Sequence, residues 1–188
     1  MGILKKLFSL GKKSEGSYLD EGLALVGRLA TTFSLPDWKG PSPIYYTDEE
    51  IKAINRNISK SQQQLDETGG AGKTFVVRSD LLPTIQGMWA AQALTTLAND
   101  SWKFSHDLPA NWKQCVSTYL KAWVLEHDPT CFLELGDLLV GAGHRTEAKQ
   151  VFQVVLLITT YTPITRHWQK EMIDYIIANT NEKLEELL

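Results

Sequence analysis

The sequence predicts an all-α fold: an irregular helical-repeat-like array of about seven helices, arranged as αα-hairpins. Apolar residues recur at spacings of three and four along most of the chain, and prolines or glycines separate these segments. Only 74–78 has a strand-like pattern, and it is too short and isolated to define a sheet. The clearest segment is 129–163, where helical periodicity lies on both sides of Gly143. We therefore expect helices at 130–141 and 147–160 that fold back on each other.

Length, composition and charge indicate one domain preceded by a distinct N-terminal segment. The chain has 188 residues, of which 43% are hydrophobic, and this suffices for a single core. The net charge is −3, yet residues 1–13 contain four lysines and no acid. We therefore divide the chain into a basic segment with its linker, 1–16, and a helical domain, 17–188. An acidic domain argues against nucleic-acid binding, which requires clustered Lys and Arg.

The N-terminal segment is predicted to be an amphipathic helix with lysines along its flank. Its apolar residues are Ile3, Leu4, Leu7 and Phe8, and its basic residues are Lys5, Lys6, Lys12 and Lys13. This pattern is typical of peripheral contact with an anionic membrane or of docking in a partner's groove. Packing of the segment against its own domain is the third alternative, and all three stay open.

Capping signals and chain breaks indicate the other helices. Thr47 and Glu50 form a capping box at the start of a helix that ends near residue 67, with Ile51 expected on its buried face. The polar turn 99–107 holds Trp102, which is a candidate partner anchor, with packing on the domain as the alternative. The remaining helices are expected at 18–33, 80–98, 109–127 and, as a C-terminal cap that carries Tyr175 on its apolar face, 163–188.

Several positions in the 129–162 hairpin resemble a single tetratricopeptide repeat. Counted from Pro129, they are Leu135, Gly136, Gly143, Ala148 and Phe152. Gly136 and Ala148 would let two helix backbones approach, Gly143 would supply the turn, and Phe152 would fill the space between this pair and the next helix. The chain departs from the pattern at Phe132, Leu139, Val155 and Pro163, and the resemblance covers one repeat, under a fifth of the chain.

The resemblance implies a partner-binding groove, because in this family the first helix of each repeat lines the concave surface. By position that surface would present Thr130, Leu133, Asp137 and Val140, with Trp102 nearby. The basic and amide side chains with which some members hold a peptide carboxylate are missing at these positions. A groove that contains Asp137 is expected to favour basic or apolar ligands.

The sequence offers little catalytic or cofactor chemistry. Residues 67–74 resemble a phosphate-binding loop, but Glu67 stands where the first glycine is needed and a helix precedes it. Neither C-x-x-C nor H-E-x-x-H spacing occurs, so we expect no metal and no cofactor, and Cys115 and Cys131 are expected to be buried. With no secretory signal and no run of about 18 apolar residues, a cytoplasmic location is expected, with peripheral membrane contact through the N-terminus as an option.

These observations together favour a noncatalytic protein-binding adaptor or assembly factor. Its partner, another protein, would dock on a groove formed by helices 80–98, 109–127 and 130–141. One alternative is an immunity or inhibitor protein for a single toxin, since an acidic domain suits a basic target. The other is a small α-helical enzyme with a pocket near His106, His127 or Glu134.

Overall fold

The computed structural model describes residues 17–35, 47–56, 82–102, 108–161 and 167–188. Within these ranges the chain forms seven α-helices and no strand, which confirms the all-α prediction. The helices are α1 (Ser17–Thr32), α2 (48–56), α3 (Leu82–Trp102), α4 (Trp112–Glu126), α5 (Pro129–Gly141), α6 (Arg145–Tyr161) and α7 (His167–Glu186). The predictions made for 1–16, for 67–78 and for His106 lie outside the described residues.

Helix α1 packs against α4 and α6, and it runs antiparallel to α4. Leu25 and Leu29 are fully or almost fully buried in this contact. Near the start of α1, Gly22 lies against the ring of Trp123 in the second half of α4. Just beyond its end, Phe33 meets Trp112, the first residue of α4, with ring centroids 5.2 Å apart. Aromatic contacts therefore fix both ends of α1 against α4.

Helix α2 begins with the predicted capping box. The Thr47 backbone N–H donates to Oε2 of Glu50 over 2.7 Å, and the Glu50 N–H donates to Oγ1 of Thr47 over 3.2 Å. The prediction for Ile51 is wrong, because that side chain is 44% exposed. Glu50 is buried instead, since both of its carboxylate oxygens accept hydrogen bonds from Nζ of Lys121 at 3.1 Å. The ion pair joins α2 to α4, so the buried face of α2 is a different one from the face predicted.

Helix α3 continues to Trp102 and forms an antiparallel hairpin with α4. The prediction that a turn begins at residue 99 is therefore wrong. Tertiary contacts explain the longer helix: Ala98 is buried, and Oδ1 of Asn99 accepts a hydrogen bond from the Tyr119 hydroxyl over 2.8 Å. The ring of Trp102 is partly buried and lies close to Gly141 at the end of α5. Packing on the domain, the stated alternative to an exposed anchor, is observed for this side chain.

Helix α4 is the centre of the fold. Every side chain from Cys115 to Trp123 is buried, because α1, α3 and α5 all pack on this helix and Lys121 faces α2. Helix α5 follows after a sharp reversal at His127, whose φ is 55°. Oδ1 of Asp128 then caps α5 by accepting a hydrogen bond from the Thr130 N–H over 2.9 Å, and Pro129 occupies the first turn.

Helices α5 and α6 form the predicted αα-hairpin. Gly143 in the turn has a φ of +81°, a conformation that favours glycine. Gly136 faces the ring of Phe152, and both residues are buried. Helix α7 packs mainly on α6 without a break, and Ile173 and Ile176 are buried there.

The prediction that Tyr175 lies on the apolar face of α7 is wrong, because that side chain is 65% exposed. No helix in the described ranges combines the length and the apolar character needed to cross a bilayer.

Candidate partner-binding site

A cavity of about 450 Å³ opens between α3, the end of α4 and the start of α5. Its size falls within the range of small-ligand pockets, roughly 300–1,000 Å³. The residues that line it are Ala91, Gln92, Thr95, Thr96, Glu126, Asp128, Thr130 and Cys131. We call this space the α3–α5 cavity.

The helix arrangement explains why the cavity exists. Helices α3 and α5 both pack extensively on α4 but make little contact with each other. One point where they meet joins Thr95 Oγ1 to Cys131 Sγ at 3.3 Å. The same Thr95 hydroxyl donates a hydrogen bond to the Ala91 carbonyl oxygen over 2.9 Å, so this threonine is fixed in place. The cavity is thus the cleft left between two helices that share one neighbour.

Two carboxylates give the cavity a negative charge. Glu126 ends α4 and Asp128 caps α5, and among the described residues that line the cavity there is no Lys or Arg. Burial and the nearby charge of Asp128 raise the pKa of the Glu126 carboxyl above its usual range. Within the described part of the chain, Glu126 makes no hydrogen bond or salt bridge. The cavity therefore holds more negative charge than its own residues compensate.

The cysteine that lines the cavity is not suited to nucleophilic chemistry. Cys131 is 2% exposed, and burial, with a further contribution from the charge of Asp128, raises the pKa of its thiol to about 12. A thiol with that pKa is protonated at neutral pH, whereas nucleophiles and metal ligands need the thiolate. Among the residues that the structure describes, no group of His, Cys, Asp and Glu is arranged to hold a metal ion. The described lining of the cavity is therefore polar and acidic, with a protonated thiol.

The structure distributes the predicted groove residues along α5 and does not gather them. Thr130 lines the cavity, whereas Leu133 is only 8% exposed and offers little surface. Asp137 pairs with Lys183 of α7. Val140 is 36% exposed and lies at the far end of α5, where Trp102 is close to Gly141. At about 1.5 Å per residue, this end lies roughly 15 Å from Thr130.

Sequence reasoning missed most residues of the cavity. Gln92, Thr95 and Thr96 form a polar stripe at helical spacing on α3, which the sequence contains but which apolar periodicity does not reveal. In the sequence, Glu126 and Asp128 stand out only as the two acids near the break between two predicted helices. His127, a residue of the enzyme alternative, lies between them and ends α4 in a left-handed conformation. Burial lowers the pKa of its imidazole.

Comparison of the chain with protein-family models, with curated proteins and with solved structures finds no significant match. The tetratricopeptide resemblance consequently remains a prediction. Gly143 forms the turn between α5 and α6, whereas Gly136 faces the ring of Phe152 and not a helix backbone.

Proposed function

We propose that this chain is a noncatalytic protein-binding adaptor or assembly factor whose partner docks along the cleft between α3 and α5. The observation that carries the proposal is the α3–α5 cavity, an acidic recess at the junction of two helical hairpins. Its walls are rigid helices, and on α3 the side chains of Gln92 and Thr96 are exposed beside it. Recesses flanked by exposed polar positions on rigid elements are suited to receiving a partner's side chains.

The rival proposal of a small enzyme has less support from the chemistry of the cavity. The thiol of Cys131 is held protonated, and the raised pKa of Glu126 has a sufficient cause in burial and the charge of Asp128. An immunity or inhibitor protein is a specific form of the binding proposal. It gains support from the uncompensated negative charge, which suits a basic target.

The proposal is tested by filling the cavity and following which proteins bind. Thr96→Arg places a long cationic side chain from exposed α3 next to Glu126 and Asp128, where it should occupy the space. Gln153→Arg makes the same charge change on the exposed face of α6 and is the matched control. The tagged wild-type chain and both variants would be used for crosslinking and affinity purification from cells of its source.

We expect at least one protein to be captured by the wild type and by Gln153→Arg and to be lost with Thr96→Arg. Circular dichroism of the variants checks that the helices are intact. If all three chains capture the same set of proteins, the cleft is not the binding surface and the proposal fails.

A further inference from the structure

Two shielded carboxylates elsewhere in the fold are paired with cations of the chain itself. Glu50, which is 1% exposed, receives two hydrogen bonds from Lys121, and Asp137 pairs with Lys183. A carboxylate that is removed from water without such a partner loses hydration energy that nothing replaces.

The α3–α5 cavity differs from these two pairs. Glu126 and Asp128 are both partly buried, and the other polar side chains that line the cavity within the described ranges are the neutral Gln92 and threonines. Asp128 uses Oδ1 to cap α5, whereas within the described ranges Glu126 has no cationic partner. The negative field of both carboxylates also reaches Cys131, where it adds to burial in raising the pKa of the thiol.

The cavity also has an apolar part. The methyl of Ala91 and the protonated thiol of Cys131 belong to the lining together with the carboxylates. A ligand that fits both parts needs an apolar stem and a cationic end. Lys and Arg side chains have this composition, and the planar guanidinium of Arg can donate to two carboxylates at once.

We propose that the α3–α5 cavity binds a single arginine side chain from a basic segment of the partner, with the guanidinium between Glu126 and Asp128. This inference rests on the proposed function, because it names the chemistry by which the partner is recognised. The aliphatic stem lies against Ala91 and Cys131, and the guanidinium donates charge-assisted hydrogen bonds to the carboxylates. Selection of the partner then depends on a positive charge at one position of its segment.

The test uses the full chain and two small probes followed by NMR of the backbone amides. N-acetyl-arginine methylamide carries the proposed group, and N-acetyl-citrulline methylamide has nearly the same shape without the charge. Glu126→Gln with Asp128→Asn removes both charges, while Asn can still cap α5 by accepting from the Thr130 N–H. Glu182→Gln with Glu185→Gln removes two charges from the exposed surface of α7 and is the matched control.

With the arginine probe, we expect saturable shifts at the amides of Thr95 and Thr130. Binding should weaken by about tenfold or more with the citrulline probe or with the cavity double variant, because hydrogen bonds to charged groups are lost. The control variant should stay within about twofold of the wild type, as expected for remote surface charges.

The inference is overturned if citrulline binds as well as arginine, if the cavity double variant binds like the wild type, or if no saturable shift occurs at these amides. If the arginine probe fails these tests while Thr96→Arg still abolishes protein capture, only the arginine chemistry is refuted. The protein-binding function is then left intact. A different result is that the cavity binds the arginine probe specifically while Thr96→Arg captures the same proteins as the wild type. That result refutes the adaptor proposal and leaves the cavity as a site for a small cationic ligand.

Discussion

Replacing Gly136 with alanine should destabilise the protein, although alanine is the better helix former. A Cβ atom at this position would lie 2.2 Å from Cε1 of Phe152 and 2.6 Å from its Cζ, whereas carbon atoms in contact normally stay about 3.5–4.0 Å apart. The ring would have to move by more than about 1 Å. Phe152 is fully buried between α5 and its neighbours, so little free space is available for that movement.

Two opposing effects set the expected size of the change. Overpacking a core typically costs about 1–3 kcal/mol. Exchange of glycine for alanine inside a helix raises the free energy of unfolding by roughly 0.5–1 kcal/mol, because the unfolded chain loses conformational freedom. We expect Gly136→Ala to lower the free energy of unfolding by about 1–2 kcal/mol, which corresponds to a fall in Tm of roughly 2–8 °C for a chain of this size.

Gly27 provides a matched control within the same fold. It lies in the interior of α1, and apart from its neighbours in the same helix nothing stands within 4 Å of the position that a Cβ would take. Gly27→Ala should therefore raise the free energy of unfolding by about 0.5–1 kcal/mol. Urea denaturation followed by circular dichroism measures both variants under the same conditions.

A second pair of variants tests whether the ring is the cause. In a Phe152→Leu background the smaller side chain leaves room for the methyl group, so Gly136→Ala should cost less there by about 1 kcal/mol or more. The reasoning is refuted if Gly136→Ala is as stable as the wild type, or if its cost is the same with leucine at position 152.

Three further predictions follow from single features of the chain. Lys121→Met should lower the free energy of unfolding by about 3–5 kcal/mol, because it leaves the buried Glu50 carboxylate without its partner. Adding Glu50→Gln should restore part of the loss in the same denaturation assay, and no recovery would show that the charge is not the cause. Since the folded-state pKa of Cys131 is raised from 9.0 to about 12, its contribution to stability should be fully present below pH 9.0 and decline as the pH rises toward 12. A Cys131→Ala variant should be less sensitive in that range, and in the wild type a thiol reagent at neutral pH should modify Cys131 only after unfolding. If residues 1–13 contact membranes, their deletion should release the chain from anionic vesicles in a salt-sensitive assay, and unchanged binding would exclude that role.

Features that depend on neighbouring residues were predicted well. The hairpin at 129–162 could be placed because apolar periodicity, the Asp128-Pro129 break and Gly143 all act within a few residues. The capping box at Thr47 is equally local, since its two hydrogen bonds span three residues.

Predictions failed where distant parts of the chain decide the outcome. Ile51 was assigned to the buried face of α2 by hydrophobicity, but an ion pair between residues 71 positions apart buries Glu50 instead. Helix α3 passes the polar residues at which it was expected to end, because Asn99 finds its hydrogen-bond partner on α4.

The sequence alone determined the helices of the hairpin and the glycine turn between them, because short-range sterics and hydrogen bonds settle these. Only the tertiary structure decided which polar groups meet. The α3–α5 cavity combines residues of three helices that are separated by up to about forty positions, and it exists because α3 and α5 share α4 as a neighbour without closing on each other. Periodicity reports which side of a helix is apolar, whereas a cavity depends on the distance between two helices, which no local pattern specifies.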